Sequence, residues 1–299
     1  MNNPLKSVCA VQIGILFLCG HAFFAACRAE TMPSNALGLG ISVLNGAFVP
    51  AEPVPVTIGI TNRSQNTIEV VSMPEPEYGF LRFRVTDPQG RERIPGPLGW
   101  ASIERVDKIA LNPGGTLTYT ALLLFGVVDG VGKFLIDKTG KYTVQALYDA
   151  EGTGKAISSE PITITVVEAK AVDTQAQRLF MGREQGLLAS GCGKDQAAID
   201  SFQRILREYP TSRYAAYAGF YLGMHYQRGG DYKQSIELFE RILKDYKDFP
   251  VWADVMYQLA IAYRETGRKD KARQCISQLI SKEPSHLLAR RGKKLLGEL

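Results

Sequence analysis

The residues that most often do chemistry are few in this chain and stand apart from one another. Beyond the apolar N-terminal stretch, histidine occurs only as His225 and His286, and neither has a histidine or cysteine at metal-ligand spacing. Three of the five cysteines lie within the first 27 residues, which leaves Cys192 and Cys275. We expect no disulfide between these two, because they fall in different repeats of the pattern described below. The sequence therefore predicts neither a metal site nor a bound cofactor.

Motifs for nucleophilic or phosphate chemistry are also missing. The run from Gly152 to Lys155, Gly-Thr-Gly-Lys, lacks the spacing of a phosphate-binding loop. It falls between two expected strands rather than between a strand and a helix, so we interpret it as a hairpin turn. No Gly-x-Ser-x-Gly elbow is present. A non-enzymatic protein is therefore predicted, with a hydrolase that carries an accessory repeat as an alternative.

A repeat of 37 residues occupies the C-terminal third of the chain. The segment Leu222–Tyr226 returns as Leu259–Tyr263, and Ser235–Phe239 returns as Ala272–Ile276. An earlier copy of the second segment begins at Ala198, again 37 residues before its counterpart. A fixed period in this range is typical of stacked repeats, which present a surface to a partner and do not usually perform chemistry.

Each copy has the pattern of two helices joined by a short turn. In the middle copy, apolar residues recur at helical spacing on both sides of the turn at Gly230. Gly223 is expected to face Ser235, and Ala260 to face Ala272, so that the two helix axes can approach closely. The helical region therefore has to be organised as antiparallel pairs.

This pattern resembles the tetratricopeptide repeat. The shared features are Leu222, Gly223 and Tyr226 in a first helix, the turn Gly230-Asp231-Tyr232, and a proline that ends the second helix at Pro210 and Pro284. The three extra residues per unit are similar to a bacterial envelope subset of the family. That subset includes the outer-membrane-protein assembly lipoprotein and the periplasmic coordinator of the Tol–Pal system.

The resemblance covers about residues 178–284 and departs from the family pattern in two places. Gln185 and Ala189 replace the expected Leu and Tyr in the first helix of the first copy, and Pro250 comes three residues late in the middle copy. The resemblance implies an all-α solenoid over residues 171–299, made of three helix pairs and a C-terminal capping helix.

The same resemblance implies a groove that binds a protein or peptide partner. In this family the groove is lined by the outward positions of the first helices. Carried over, those positions are Tyr217, Phe220, Met224, Gln227 and Arg228 in the middle copy, and Asp254, Tyr257, Ile261 and Arg264 in the last copy. The alternative is that a neighbouring helix buries Phe220 and Met224.

Residues 1–29 have the pattern of an export signal. Lys6 precedes an apolar stretch from Val8 to Ala26, and small residues follow. Cleavage after Ala29 would release a soluble protein. Alternatively, the run from Phe24 to Cys27 resembles the lipobox of bacterial lipoproteins, and Cys27 would then carry a lipid that tethers the protein to a membrane. Both alternatives predict a periplasmic or otherwise extracytoplasmic location.

Residues 30–170 predict an all-β domain, because short runs of alternating apolar residues are separated by Gly and Pro turns. The segment from Asp137 to Tyr142 resembles the tyrosine corner of immunoglobulin-like domains, so the resemblance implies an immunoglobulin-like sandwich. The Cys…Trp…Cys signature of antibody domains is absent, and the only Trp of this region is Trp100. The expected fold is thus multi-domain, with this sandwich before the helical solenoid.

The charge distribution is uneven but modest. Residues 30–170 hold 12 Lys and Arg against 15 Asp and Glu, whereas residues 171–299 hold 21 against 15. Acidic residues are interleaved with the basic ones and no nucleic-acid motif is present, so we expect no nucleic-acid partner. Two functions are open: an exported interaction scaffold, or a membrane-anchored lipoprotein in outer-membrane or surface assembly, with the sandwich as docking or spacer domain.

Overall fold

A computed structural model describes residues 36–43, 46–72, 79–96, 108–150 and 154–299. The expected signal peptide, Cys27 and Trp100 lie outside these residues. The described part consists of a β-rich N-terminal region followed by a helical C-terminal region, so the expected two-part architecture is confirmed at this level. Within the described residues, no helix combines the length and apolar character needed to cross a membrane.

Thirteen strands lie in the described part of the N-terminal region. They are β1 (Leu37–Val43), β2 (Ala47–Phe48), β3 (Val54–Asn62), β4 (Ile68–Val71), β5 (Leu81–Thr86), β6 (Glu92–Arg93), β7 (Lys108–Leu111), β8 (Thr116–Leu123), β9 (Phe125–Val128), β10 (Val131–Phe134), β11 (Gly140–Tyr148), β12 (Ile157–Ser158) and β13 (Ile162–Val166). Strands β11 and β12 pair antiparallel, and the expected hairpin turn between them begins at Gly152, which lies outside the described residues.

Two sheets account for most of these strands. One has the order β1-β3-β8 and the other β2-β13-β11-β5-β6, with β12 paired to β11. The second sheet is mixed, because β2 runs parallel to β13 while its other pairs are antiparallel. The alternation expected from the sequence appears in the burial of β8, where Leu117, Tyr119, Ala121 and Leu123 are buried and the residues between them are half-exposed.

The Tyr142 hydroxyl joins the start of β11 to the preceding turn. It donates to the Lys138 carbonyl at 3.1 Å and lies 3.1 Å from the Lys138 amide. This is the hydrogen bond expected of a tyrosine corner. Because the ring itself is buried, the bond fixes the turn against the core of the strand region.

Eight helices follow the strands. They are α1 (Val172–Phe180), α2 (Arg183–Ala189), α3 (Gln196–Glu208), α4 (Ala215–Arg228), α5 (Tyr232–Asp245), α6 (Trp252–Glu265), α7 (Lys269–Lys282) and α8 (Leu287–Glu298). The pairs α4–α5 and α6–α7 are the two clear copies of the repeat. Asp195 and Asp231 cap α3 and α5 by accepting hydrogen bonds from the Ala198 and Gln234 amides.

The first copy departs from the regular pattern at its first helix. That helix is split into α1 and α2, with Gly182 between them in an extended backbone conformation (φ −100°, ψ 155°). The weak match of this segment to the repeat, noted from Gln185 and Ala189, therefore corresponds to a real break. The first copy nevertheless completes its pair, because α3 packs on both α1 and α2.

Close helix approach within the middle copy depends on Gly223, but the residue that it meets is not the expected one. A Cβ added at Gly223 would lie 2.5 Å from the Phe239 ring of α5. Phe239 lies one turn beyond Ser235, whose hydroxyl instead donates to the Gln227 side chain at 3.2 Å. The expected close approach is confirmed, with an aromatic ring rather than a serine filling the space.

Candidate partner-binding groove

The repeat period places equivalent residues of successive first helices on the same face of the stack. Four rows follow along α4, α6 and α8, each spaced by 37 residues. The first row is Tyr217, Asp254 and Arg291, the second Phe220, Tyr257 and Lys294, the third Met224, Ile261 and Glu298, and the fourth Gln227 and Arg264. Helix α8, which was expected only as a cap, therefore occupies the position of a fourth first helix.

The first row of the groove faces the strand region. Arg291 on α8 donates to the Ser72 carbonyl, which follows β4, at 2.7 Å. Tyr217 on α4 is only 5% exposed, and its pKa is raised by burial first and then by the nearby Glu52 carboxylate, which follows β2. Two members of this row, one on α4 and one on α8, thus point at the chain's own strands.

A turn of the strand region is bound where the helical stack begins. The carbonyl of Pro50 accepts hydrogen bonds from the Tyr214 hydroxyl at 2.7 Å and from the Gln177 side chain at 3.2 Å. In the same turn, Ala51 has a φ of 61°, the left-handed region that an alanine seldom adopts, and it is 1% exposed. The turn is therefore held in a demanding conformation against α1 and the start of α4.

Charged groups surround the same turn. Arg213 donates to the Ala47 carbonyl at 2.6 Å and pairs with the buried Glu52 carboxylate at 3.1 Å. Burial raises the pKa of Glu52, while the Val49 amide and the Arg213 guanidinium lower it. Because burial dominates, the pair fixes the geometry of this contact more than it stabilises the fold.

The other end of the stack also contacts the strand region. The Thr118 amide on β8 donates to the Ser285 carbonyl at 3.0 Å, and Thr118 forms a parallel bridge with His286. Arg290 on α8 lies within 3.3 Å of the Thr116 carbonyl. Near the other end of β8, Leu122 packs against the buried cluster of the helical region.

Just beyond β8, strand β9 packs against α2. A Cβ added at Gly186 would lie 2.3 Å from the Phe125 ring of β9, so only glycine leaves room for that ring. Leu124, Phe134 and Val49 belong to the same buried cluster as the helices. The segment β8–β9 therefore contacts α8 near one end and α2 near the other, and part of the strand region belongs to the hydrophobic core of the helical stack.

Two of the expected groove residues are part of that core. Tyr217 packs edge-on against Phe249 with ring centroids 5.0 Å apart. Phe220 is 8% exposed and lies beside both Phe239 and Phe249. The expectation that these two side chains face a partner is wrong for this structure, because the segment after α5 folds back over them. For Phe220, the alternative of burial is the correct one.

The remaining groove residues are at least partly exposed to solvent. Met224, Gln227, Asp254, Tyr257, Ile261 and Arg264 are half-buried, and Arg228 is exposed. Gln227 donates to the Gln258 side chain at 2.8 Å, and Arg264 pairs with Glu265 at 2.7 Å and with Glu298 at 3.6 Å. The third and fourth rows therefore form a partly apolar strip that ends in charged residues.

A second concave surface lies on the other side of the helix pairs, and no sequence pattern indicated it. It is an open cleft of about 550 Å³ between α3, α4 and α5. Its lining combines apolar and charged side chains: Gln203, Leu206, Arg207, Pro210, Leu222, Tyr226, Gln234, Glu237, Leu238 and Arg241. In the residues described, no group of three or more His, Cys, Asp or Glu side chains is arranged to hold a metal ion.

Comparison with known structures gives only weak likenesses. The chain is similar to a β-glucosidase from Erythrobacter marinus at 15% identity and a TM-score of 0.28, over 44% of this chain and 15% of that one. It is similar to the sporulation control protein Spo0M of Bacillus subtilis at 13% identity and a TM-score of 0.26, over 48% of this chain and 54% of that one. These scores are too low to carry an argument about function.

Comparison by sequence is more informative. A search of curated protein sequences found no relative of this chain. Two family models described as tetratricopeptide repeat match it, one at residues 176–212 and the other at residues 228–296. The first match spans part of α1 and all of α2 and α3, and the second spans α5 to α7 and most of α8. Residues 176–296 of this protein therefore contain tetratricopeptide repeats.

Proposed function

We propose that this protein is an exported, non-enzymatic scaffold that binds a protein or peptide partner through the third and fourth rows of its tetratricopeptide groove. The observation that carries the proposal is the pair Met224 and Ile261. These apolar side chains occupy equivalent positions on α4 and α6 and keep part of their surface exposed. Equivalent apolar residues on neighbouring first helices offer regularly spaced contacts to a partner segment.

The surroundings of this pair favour a partner that carries both apolar and acidic groups. Arg228 and Arg264 lie one turn further along the same helices, and guanidinium groups bind carboxylates with directional hydrogen bonds. The pairs of Arg264 with Glu265 and Glu298 are partly exposed, and a carboxylate of the partner would replace them. Gln227 adds an amide that can bind a peptide backbone. In the first row Tyr217 is buried and Arg291 is bound to the Ser72 carbonyl, so the partner is expected to lie across rows three and four.

The test is a single charge introduced into the apolar strip. Partners are first recovered from envelope extract with the full chain and then titrated against purified variants. Ile261→Glu is expected to weaken binding by about tenfold or more, because anchor positions typically contribute about 2 kcal/mol. The matched control is Leu238→Glu, which makes the same change at a half-buried residue of the opposite cleft.

Melting curves must show that both variants remain folded. Unchanged affinity in folded Ile261→Glu, with loss of affinity in Leu238→Glu, would contradict the groove and assign binding to the cleft between α3 and α5.

Export is part of the same proposal and is supported by the N-terminal sequence. Mass spectrometry of the native protein is expected to find residues 1–26 or 1–29 removed. If Cys27 is lipidated, Cys27→Ser should release the protein from membranes, which would favour the alternative of a lipoprotein in outer-membrane or surface assembly. An intact Met1 in the cytoplasmic fraction would contradict export.

The strand region is proposed to be an immunoglobulin-like sandwich that serves as a docking or spacer domain. Its support is the Tyr142 corner, together with the passage of the chain from β1 in one sheet to β2 beside β13 in the other. An experimental structure in which these two sheets do not pack face to face would contradict this assignment.

A further inference from the structure

The two edges of the three-stranded sheet β1-β3-β8 differ in how far other parts of the chain cover them. At the β8 edge, the Thr118 amide donates to the Ser285 carbonyl, so the loop between α7 and α8 covers part of that edge. At the β1 edge, no strand among the described residues is paired. An open strand edge presents backbone amides and carbonyls that can pair with another strand.

The pairing of β1 with β3 shows which backbone groups lie on the open edge. The Arg63 amide donates to the Ala36 carbonyl at 2.7 Å, and Ala36 is therefore hydrogen-bonded to the β3 side. Hydrogen-bonded and non-hydrogen-bonded pairs alternate along an antiparallel ladder. The amides and carbonyls that point away from β3 therefore belong to Leu37, Leu39, Ile41 and Val43.

This edge lacks the features that usually prevent pairing. The strand Leu37–Val43, Leu-Gly-Leu-Gly-Ile-Ser-Val, contains no charged residue and no proline. Natural edge strands are commonly protected by lysine, by proline or by a bulge. Leu39, Ile41 and Val43 are also only half-buried, so further apolar surface would be covered if a strand were added.

We propose that β1 pairs with β1 of a second copy of this chain, antiparallel and centred on Gly40, to join the two three-stranded sheets into one of six strands. In this arrangement, Leu39 lies opposite Ile41 of the partner copy and Leu37 lies opposite its Val43. All four residues with outward amides and carbonyls then find a hydrogen-bonding partner. This strand edge is separate from the helical groove, so a second copy and a groove partner can bind at the same time.

The residues of β1 suit pairing with themselves in this register. Gly40 would meet its own copy in a non-hydrogen-bonded pair, where the Cα atoms approach to about 4.5 Å. Because β1 carries no charged side chain, pairing it with its own copy brings no like charges together. The Arg63 side chain lies against Gly38 at one end of the strand, so the two Arg63 side chains would be at opposite ends of the pair.

Cysteine cross-linking tests the register directly. A side chain added at Gly40 meets nothing within 4 Å in one copy, so Gly40→Cys should fold normally. Across the proposed axis the two thiols fall within disulfide range, which requires Cα atoms about 4.4–6.8 Å apart. In a Cys192→Ser background, mild oxidation is expected to convert most of this variant into a covalent dimer.

The matched control is Ser42→Cys, also exposed and two residues away. In the proposed register its two copies lie about 14 Å apart, from the rise of about 3.3 Å per residue. The control should therefore form little covalent dimer. Equal cross-linking of both variants, or none of Gly40→Cys, would overturn the proposal.

Ile41→Pro gives an independent measurement. Proline is tolerated on an edge strand where its missing amide would have faced solvent, and the Ile41 amide points away from β3. Sedimentation of the full chain is expected to show a dimer for the natural sequence and a monomer for Ile41→Pro, with circular dichroism showing that the variant is folded. A natural sequence that stays monomeric at high concentration, or a dimer that survives Ile41→Pro, would refute β1 pairing.

Discussion

Replacing Gly223 with leucine is expected to lower the free energy of unfolding by about 3 kcal/mol or more, because extra volume in a packed core forces neighbouring groups out of place. Even the first carbon of the new side chain would lie 2.5 Å from the Phe239 ring, which is fully buried and lies beside Phe220. The ring cannot move aside without disturbing its neighbours. Urea denaturation followed by circular dichroism measures the loss.

The same helix offers a matched pair of smaller changes. A Cβ added at Gly219 would lie 3.4 Å from Ile242, a tight contact but far longer than the 2.5 Å at Gly223. Both positions gain about 1 kcal/mol of helix propensity when glycine becomes alanine. Gly219→Ala should therefore be near neutral or stabilising, and Gly223→Ala destabilising. Equal stability of the two alanine variants would show that Gly223 does not govern the α4–α5 contact.

Lowering the pH from 7 to 4 is expected to remove about 3 kcal/mol of stability through His286 alone. Burial, with a smaller contribution from the Arg291 charge, lowers the pKa of His286 from 6.5 to about 4. The unfolded chain therefore binds a proton at a higher pH than the folded chain does. The contribution of neutral His286 is fully present above pH 6.5 and is lost as the pH falls towards 4, at about 1.4 kcal/mol per pH unit.

The stability contributed by His286 depends on pH because its buried ring makes two contacts, one with the start of α8 and one with β8. It is 3% exposed, its Nδ1 accepts a hydrogen bond from the Leu288 amide at the start of α8, and its ring lies 6.2 Å from that of Tyr119 on β8. Protonation would remove the acceptor and place a charge beside Arg291. Acid is therefore expected to loosen the contact between α8 and β8 first.

The matched variant for this prediction is His286→Asn. Asparagine is also a good N-cap residue, so the start of α8 can keep its cap while the titrating group is removed. Glu283 has the opposite effect on acid stability, because burial raises its pKa and protonation therefore favours the folded state. Glu283 is present in both proteins, so its effect cancels in the comparison. Melting temperatures measured from pH 7 to 4 should fall more steeply for the natural protein. Parallel curves would exclude His286 as the acid-sensitive group.

The local patterns of the chain determined a large part of this structure. The 37-residue period, the small residue at Gly223 and the turn at Gly230 predict paired helices, because helix spacing and turn chemistry depend on neighbouring residues. The alternation in residues 30–170 likewise predicts antiparallel strands, and the segment before Tyr142 resembles a tyrosine corner, whereas the hydrogen bond to Lys138 is seen only in the structure. The weak first helix was visible in Gln185 and Ala189, although its division at Gly182 was not.

Only the tertiary structure decided which face of the repeats remains open. Tyr217 and Phe220 occupy groove positions by their place in the repeat, yet Phe249 covers both of them. Arg291 and Tyr214 meet carbonyls more than 160 residues away in the chain, at Ser72 and Pro50. The repeat pattern reflects how each helix packs on its neighbours. The pattern is the same whether the groove is exposed or covered by another segment of the chain. Whether a groove residue is free depends on contacts between distant segments, which no spacing within the repeat encodes.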